Sequence, residues 1–475
     1  MNIAAIALLA ATFTRPMERV STLDPAMCQS IYDSHAVALI YDTPLDIDYE
    51  ARPYKLVPGV CELPEISSDG LHYRFRVRRE GKARAKDVVR ALEKLRSPEV
   101  LSPNAWIVGD VDKVVATDDF TVDISLKRKV RHFSWLMAMQ PCSVVLEDGS
   151  GTGAYELKSW RRNHEMIFTR RTGQTVGFDT VRYLVIDDAS TQWLMFLKGE
   201  VDFLGAISRD NWDSVVGPDG RLDGSLAKKG VRLFSMATLE SMYIGINMRD
   251  PVLGPNKKLR QALNCAFDFP AWEKFYNHRV KECDGPVPPG VPERLETPFP
   301  YRFDLAKAKR LMEEAGYPGG IDPKTGRRLE LTLSIGRASQ ESREAGELTS
   351  AFYEKIGIKL KLDFMTWDAF LSAVNDGRVQ MYRMGWVGDY PDAQNFLQLF
   401  YGPNRSPGVN HSNFENAAYD AAYEKEDFAT CQNIVREECP WIFTHFNLAY
   451  SLTGPRVHNY IPSDFPYGKE RFYTP

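Results

Sequence analysis

Between Leu329 and Gly388 the hydrophobic period changes from two to about 3.6 and back, twice over, which is the strand, helix, strand order that builds a parallel sheet. Leu329, Leu331, Leu333 and Ile335 share one face of a first strand, and Leu348, Phe352 and Ile356 form a helical stripe closed by Gly357. A second strand carries Ile358, Leu360, Leu362 and Phe364. Thr366 then caps a short helix with Trp367, Phe370, Leu371 and Val374, which Gly377 ends. A third strand begins at Val379, with Val379 and Met381 on one face and Gln380 and Tyr382 on the other, and it breaks at Gly388. Open α/β sheets meet their ligands beyond the carboxyl ends of the strands, so Asp389 stands where a ligand would be met. Gly385 and Gly388, on either side of Trp386, read either as a bulge or turn or as backbone cleared for a second extended chain to lie alongside.

The chain has 475 residues, more than one ordinary domain holds, so two or three lobes are expected. A net charge of -4 leaves no broad cationic footprint for nucleic acid. After the N-terminus no apolar run approaches the roughly 18 residues of a membrane span. Ile3 to Phe13 is an apolar run of signal-peptide length without the usual positive start, so it reads as a weak or truncated signal or, from Leu8 to Thr14, as the first strand of a sheet. The seven cysteines, Cys28, Cys61, Cys142, Cys265, Cys283, Cys431 and Cys439, contain no CxxC, which argues against a zinc ribbon or a thiol redox motif. No metal site or cofactor is expected.

Tyr73, Phe75 and Val77 alternate with Arg74, Arg76 and Arg78, giving a strand with one apolar and one cationic face. A helix from about Ala85, with Val88, Val89, Leu92 and Leu95 on one side, stops before Pro98. The cations between Arg76 and Arg90 lack interleaved aromatics and read as a solvated face. Gly151-Thr152-Gly153 is not a dinucleotide fingerprint, because Glu156 stands where a third glycine is needed and strand residues follow. Asp304 caps a helix that buries Leu305, Ala308, Leu311, Met312 and Ala315 and ends at Gly316.

Several phrases in order resemble one family. Thr22-Leu23-Asp24-Pro25, Gly151-Thr152-Gly153-Ala154-Tyr155, Gly199-Glu200-Val201-Asp202, Leu259-Arg260-Gln261-Ala262-Leu263 and Gly385-Trp386-Val387-Gly388-Asp389-Tyr390-Pro391-Asp392, followed by Asn395-Phe396-Leu397, are similar to the extracytoplasmic solute-binding proteins of family 5, which serve ABC importers of dipeptides and oligopeptides. The resemblance implies an α/β, two-lobed hinged periplasmic-binding-protein fold (type II-like) with an additional subdomain in the first lobe. It implies residues 1–25, 150–238 and 455–475 for the main sheet of the first lobe, 26–149 for the additional subdomain, and 239–454 for a second lobe carrying the ligand loop. Met242 to Asn247 and Tyr450 to Tyr460 would be the two crossings between the lobes, and two crossings predict a hinge that encloses ligand when the lobes close.

In the peptide-binding members the acid matching Asp389 holds the ligand's amino terminus, and that role is carried to Asp389 alone; Asp392 is expected to bond local backbone. An extended peptide would be gripped through its main chain by Gly385, Val387 and Gly388 on one side and, on the other, by the Gln29-Ser30-Ile31 segment, which is either extended against the ligand or an ordinary loop ahead of a helix from Ser34 to Ile40. Trp386 either walls a side-chain pocket or packs in the core, and Arg383 meets either a ligand carboxylate or another acid of the protein. The expected partners are a peptide and the membrane permease subunits of an ABC importer, with a periplasmic monomer, no nucleic acid and no catalysis. Two alternatives stand beside this: the same fold binding a nickel complex, haem, sugar or opine, and a cleft hydrolase using Asp389 with Asp392.

Overall fold

The computed structural model describes residues 11–475 apart from 18, 29, 187, 208–210, 218–219 and 338. The chain forms two compact units, one made of Met1–Met236 with Tyr450–Pro475 and the other of Ala237–Ala449.

In the first unit, strand β1 (Thr12–Met17) leads to helix α1 (Ile31–Ile40). Strands β2 (Glu65–Ile66) and β3 (His72–Arg76), helix α2 (Ala85–Arg96), and strands β4 (Val111–Asp118) and β5 (Thr121–Leu126) follow, the strands forming a sheet in the order β2-β3-β5-β4. Tyr73 and Phe75 are buried on one face of β3, while Arg74 and Arg76 on the other meet Asp123 and Glu65 at 2.8 and 3.1 Å. The cationic face is therefore a ladder of exposed ion pairs. Strands β6 (Tyr155–Arg161), β7 (Glu165–Arg170) and β8 (Thr180–Val185) complete the main sheet, in the order β1-β8-β7-β6, with β1 parallel to β8. Phe13, Phe168, Val181 and Tyr183 belong to its core, which the C-terminal segment completes with Val457 and Tyr473. β1 begins at Thr12 among the described residues; Ile3 to Ala10 of the apolar N-terminal run lie outside them.

The second unit opens within strand β9 (Arg232–Ile246), which crosses the unit boundary, and continues through helix α3 (Lys257–Ala266) and helix α4 (Leu305–Glu314). Asp304 caps α4 by accepting the Lys307 N–H at 2.9 Å. Next come β10 (Glu330–Ile335), α5 (Gln340–Glu354), β11 (Lys359–Phe364), α6 (Trp367–Asn375) and β12 (Met381–Val387). Gly357 and Gly377, just past α5 and α6, have φ of +83° and +65°, the left-handed turn that a side chain resists and a helix end requires. A short helix α7 (Ala393–Leu397) follows β12, and β13 (Trp441–Thr453) carries the chain back to the first unit.

Five strands of a larger sheet run β13-β9-β12-β10-β11, and the short strand Val280–Glu282 also pairs with β13. β10 is parallel to both β11 and β12, and β9 is antiparallel to β12. Leu331, Leu333, Phe352, Ile358 and Met381 are buried in one core with Leu263 and Leu311 from α3 and α4. The two strand, helix, strand units therefore deliver the end of β12 to the carboxyl edge of a parallel sheet, as the hydrophobic periods require.

Candidate functional site

β12 sets the geometry. The Gly388 N–H donates to the Leu239 carbonyl at 2.7 Å, and the Gln380 carbonyl accepts from the Asn247 N–H at 3.0 Å. Bonding to one neighbour alternates along an antiparallel strand, so Tyr382, Met384 and Trp386 also bond toward β9, whereas the N–H and C=O groups of Gly385 and Val387 point to the opposite edge. On that edge β10 pairs only as far as Ile335 opposite Arg383. Beyond it no strand among the described residues pairs with Gly385 and Val387 on that edge, although both lie opposite β9 on the other. This corrects the expected role of Gly388, whose N–H is already committed to β9.

The glycines also have a packing reason. A Cβ on Gly385 would lie 2.3 Å from Met242 Sδ, and one on Gly388 would lie 2.6 Å from Phe396 Cζ. Gly388 is therefore crowded by the ring of buried Phe396 and Gly385 by the flexible end of Met242, whether or not a second chain lies alongside.

Asp389 follows the strand and is exposed, with Oδ2 accepting from Asn395 Nδ2 at 3.4 Å. No arginine, lysine or histidine among the described residues pairs with it. Desolvation by the surrounding protein raises its carboxyl above the usual range, opposed by the Asn395 bond, so the carboxylate is accessible and short of positive charge. Trp386 is half-buried and donates from Nε1 to Asn395 Oδ1 at 2.8 Å. Asp392 is buried and caps α7 through the Gln394 N–H at 2.9 Å, as local backbone chemistry predicts. With Asp392 turned to its own helix, the two acids do not form a facing pair.

Arg383 donates from Nη2 to the Tyr276 hydroxyl at 2.6 Å, and its guanidinium lies 5.4 Å from the Trp272 ring centroid. Its Nη1 is buried without a hydrogen-bond partner, and no acid among the described residues pairs with it. The expectation that Arg383 faces another acid is thereby overturned. Burial, reinforced by the Arg383 charge, pushes His445 down to about 3, so that neighbour is neutral at ordinary pH.

In the first unit, the extended segment expected at Gln29-Ser30-Ile31 is cut short: the Ser30 backbone is extended, with φ of -110° and ψ of 157°, but the helix begins at Ile31. Gln29 lies outside the described residues. Ser30 caps α1, its Oγ accepting the Asp33 N–H at 3.0 Å while Asp33 Oδ2 accepts the Ser30 N–H at 3.4 Å, and Ile31 is already helical and exposed. This reciprocal box starts the helix three residues earlier than apolar spacing suggested. Asn395, which holds both Trp386 and Asp389, was visible in the sequence only as one letter of a phrase.

Residues 55–408 match the family described as bacterial extracellular solute-binding proteins, family 5 Middle. Heme-binding protein A of Haemophilus influenzae is 24% identical, over 90% of this chain and 85% of that protein. The dipeptide-binding protein of Escherichia coli is 23% identical, over 93% and 89%. Among solved structures, HbpA2 from Haemophilus parasuis superposes with a TM-score of 0.86 at 22% identity, covering 98% of this chain and 99% of that one. The architecture is thus that of the periplasmic binding proteins, whose members of this family work with ABC-transporter membrane components; among the described residues no helix is long and apolar enough to cross a membrane. By a match over most of its length, the chain belongs to the bacterial extracellular solute-binding proteins of family 5.

Proposed function

We propose that this protein captures an amine-bearing solute, a short peptide before any other, and delivers it to the permease subunits of an ABC importer. The observation that carries the reading is Asp389, an accessible carboxylate with no cationic partner among the described residues, next to the open edge of β12. An ammonium taken out of water needs a counter-charge, and Asp389 would supply it. The peptide backbone would pair with Gly385 and Val387, a grip that tolerates varied side chains. Trp386 would wall one side-chain pocket, Arg383 would meet an acidic group of the ligand through its unpaired Nη1, and Ser30 and Ile31 would contribute from the first turn of α1. The protein would act as an extracytoplasmic monomer, binding without turnover and without a nucleic-acid partner.

Calorimetry with a tripeptide and its N-acetylated form tests the assignment. Asp389→Asn is expected to cost about 3 to 5 kcal/mol of affinity for the free amine if the pair is fully buried. Unchanged affinity removes Asp389 from the site. Enclosure by hinge motion belongs to the same proposal, and an unaltered radius of gyration on adding ligand would count against it.

A second reading, the same fold holding haem, is motivated by the similarity to Heme-binding protein A. Native mass spectrometry of protein purified from its own host separates the two by the mass of a carried-over ligand. Incubation with peptides and a search for fragments addresses the hydrolase alternative.

A further inference from the structure

Asn395 is buried, with 1% of its surface exposed, yet its side chain reaches back to two residues of the candidate site. It is the third residue of α7, after the Asp392 cap, and side chains on a helix tilt toward its N-terminus, here toward the loop that follows β12. Its Oδ1 accepts from Trp386 Nε1 at 2.8 Å and its Nδ2 donates to Asp389 Oδ2 at 3.4 Å. The indole nitrogen can only donate, so it admits only one orientation of the amide: oxygen to Trp386, N–H to Asp389. The helix start that carries Asn395 is held as well, by the Asp392 cap and by Glu293 Oε2, which accepts the Ala393 N–H at 3.4 Å.

We propose that Asn395 is the positioning residue for amine recognition, its amide locked by Trp386 so that an N–H always faces Asp389 and aims that carboxylate at the ligand. The inference rests on the reading that Asp389 takes the ligand's amine. The Asn395 bond goes to Oδ2 and leaves Oδ1 for an ammonium. Among the described residues the ionisable groups about Asp389 offer no cation. Tyr390 donates its hydroxyl to Gln394 and also meets the Asn395 side chain, Asp392 caps α7, Glu293 accepts from the Ala393 N–H, and Glu240, opposite Val387, accepts from Asn447. With desolvation working against the charged form, the Asn395 N–H is the group that opposes it.

The test measures the affinity of trialanine, and of N-acetyl-trialanine, from pH 4.5 to 8 for the full chain and for Asn395→Leu, Asn395→Asp and Asp389→Asn. Removing the donor should move the acid limb of trialanine binding to higher pH. Affinity would then fall by about tenfold near pH 5 and by much less at pH 8, with Asn395→Asp shifted further because a second carboxylate replaces the donor. The acetylated peptide should show no such limb. A loss of equal size at every pH, or no loss, overturns the role of Asn395 while leaving Asp389 in place. If Asp389→Asn binds trialanine as well as the unsubstituted protein, the reading of Asp389 itself has failed.

A ligand-free arm keeps the proposal exposed to refutation whatever the protein carries. In protein labelled with carbon-13 at aspartate carboxyls, the Asp389 signal is the one missing from Asp389→Asn. Its titration should move upward in Asn395→Leu, and an unmoved titration rejects the proposal. Should Asn395→Leu fail to fold, Trp386→Phe, which frees the amide to turn over, should move the same titration in the same direction.

Discussion

Gly388 lies against the ring of Phe396 so closely that a Cβ at position 388 would fall 2.6 Å from Cζ. Phe396 is fully buried and has nowhere to swing, so Gly388→Ala should cost about 1 to 3 kcal/mol by overpacking and shift the Asp389 loop. Urea denaturation measures the first effect and tripeptide affinity the second. The neighbour of Gly385 is the flexible end of half-buried Met242, so Gly385→Ala should cost less.

Asp389 should weaken the unliganded fold at neutral pH. Its carboxyl is raised in the folded protein by desolvation, so the folded state holds its proton to a higher pH than the unfolded chain does. Stability from this group is present while it is protonated and declines as pH rises from the ordinary carboxylate range through the raised value. Asp389→Asn should therefore melt at a higher temperature than the unsubstituted protein at pH 7, with the difference vanishing toward pH 3. Melting curves without ligand across that range check the sign, and a lower melting temperature at pH 7 would contradict it.

Arg383 offers a separate handle on the ligand. Arg383→Met relieves a buried, unpaired Nη1 but gives up the bond to the Tyr276 hydroxyl and the contact with Trp272, so the unliganded stability should fall by about 1 to 2 kcal/mol. If the ligand's acid is its partner, affinity for a peptide with a free C-terminus should fall while affinity for the C-terminal amide stays. Calorimetry with the two peptides gives the comparison directly.

Glu470 anchors the C-terminal segment in the first unit, accepting from the Tyr183 hydroxyl at 2.8 Å and Arg15 Nη1 at 3.3 Å with His35 3.6 Å away. Burial works to raise its carboxyl, but His35 and Arg15 hold it below the ordinary value. A depressed carboxyl contributes stability above its unfolded pKa of about 4.3 and loses it as pH falls through the folded value. Glu470→Gln should lose about 3 kcal/mol at pH 7, because Arg15 is left without its counter-charge, and should lose less further stability on acidification. Thermal melts from pH 7 downward measure both.

Local chemistry made much of the fold legible. Strand and helix periods from Leu331 to Met381, the Asp304 cap and the glycines that end α5 and α6 depend on residues within one or two turns of each other, so they can be read in a line of letters. Asp389 at the carboxyl end of a strand is of this kind too. The early start of α1 was also written locally, as a serine three residues before Asp33, but the apolar stripe alone did not reveal it.

Other features exist only once distant segments meet. The open edge at Gly385 and Val387 follows from where β10 stops, and the commitment of Gly388 from the position of Leu239 on β9. Arg383 against Tyr276 and Trp272 joins residues more than a hundred positions apart. By itself the sequence determined which residues repeat with which period, and therefore that a carboxylate would follow a parallel strand; the tertiary structure decided which of its neighbours were already bonded. Hydrogen bonds and close contacts form between whatever surfaces packing brings together, and that pairing is not encoded in any single segment.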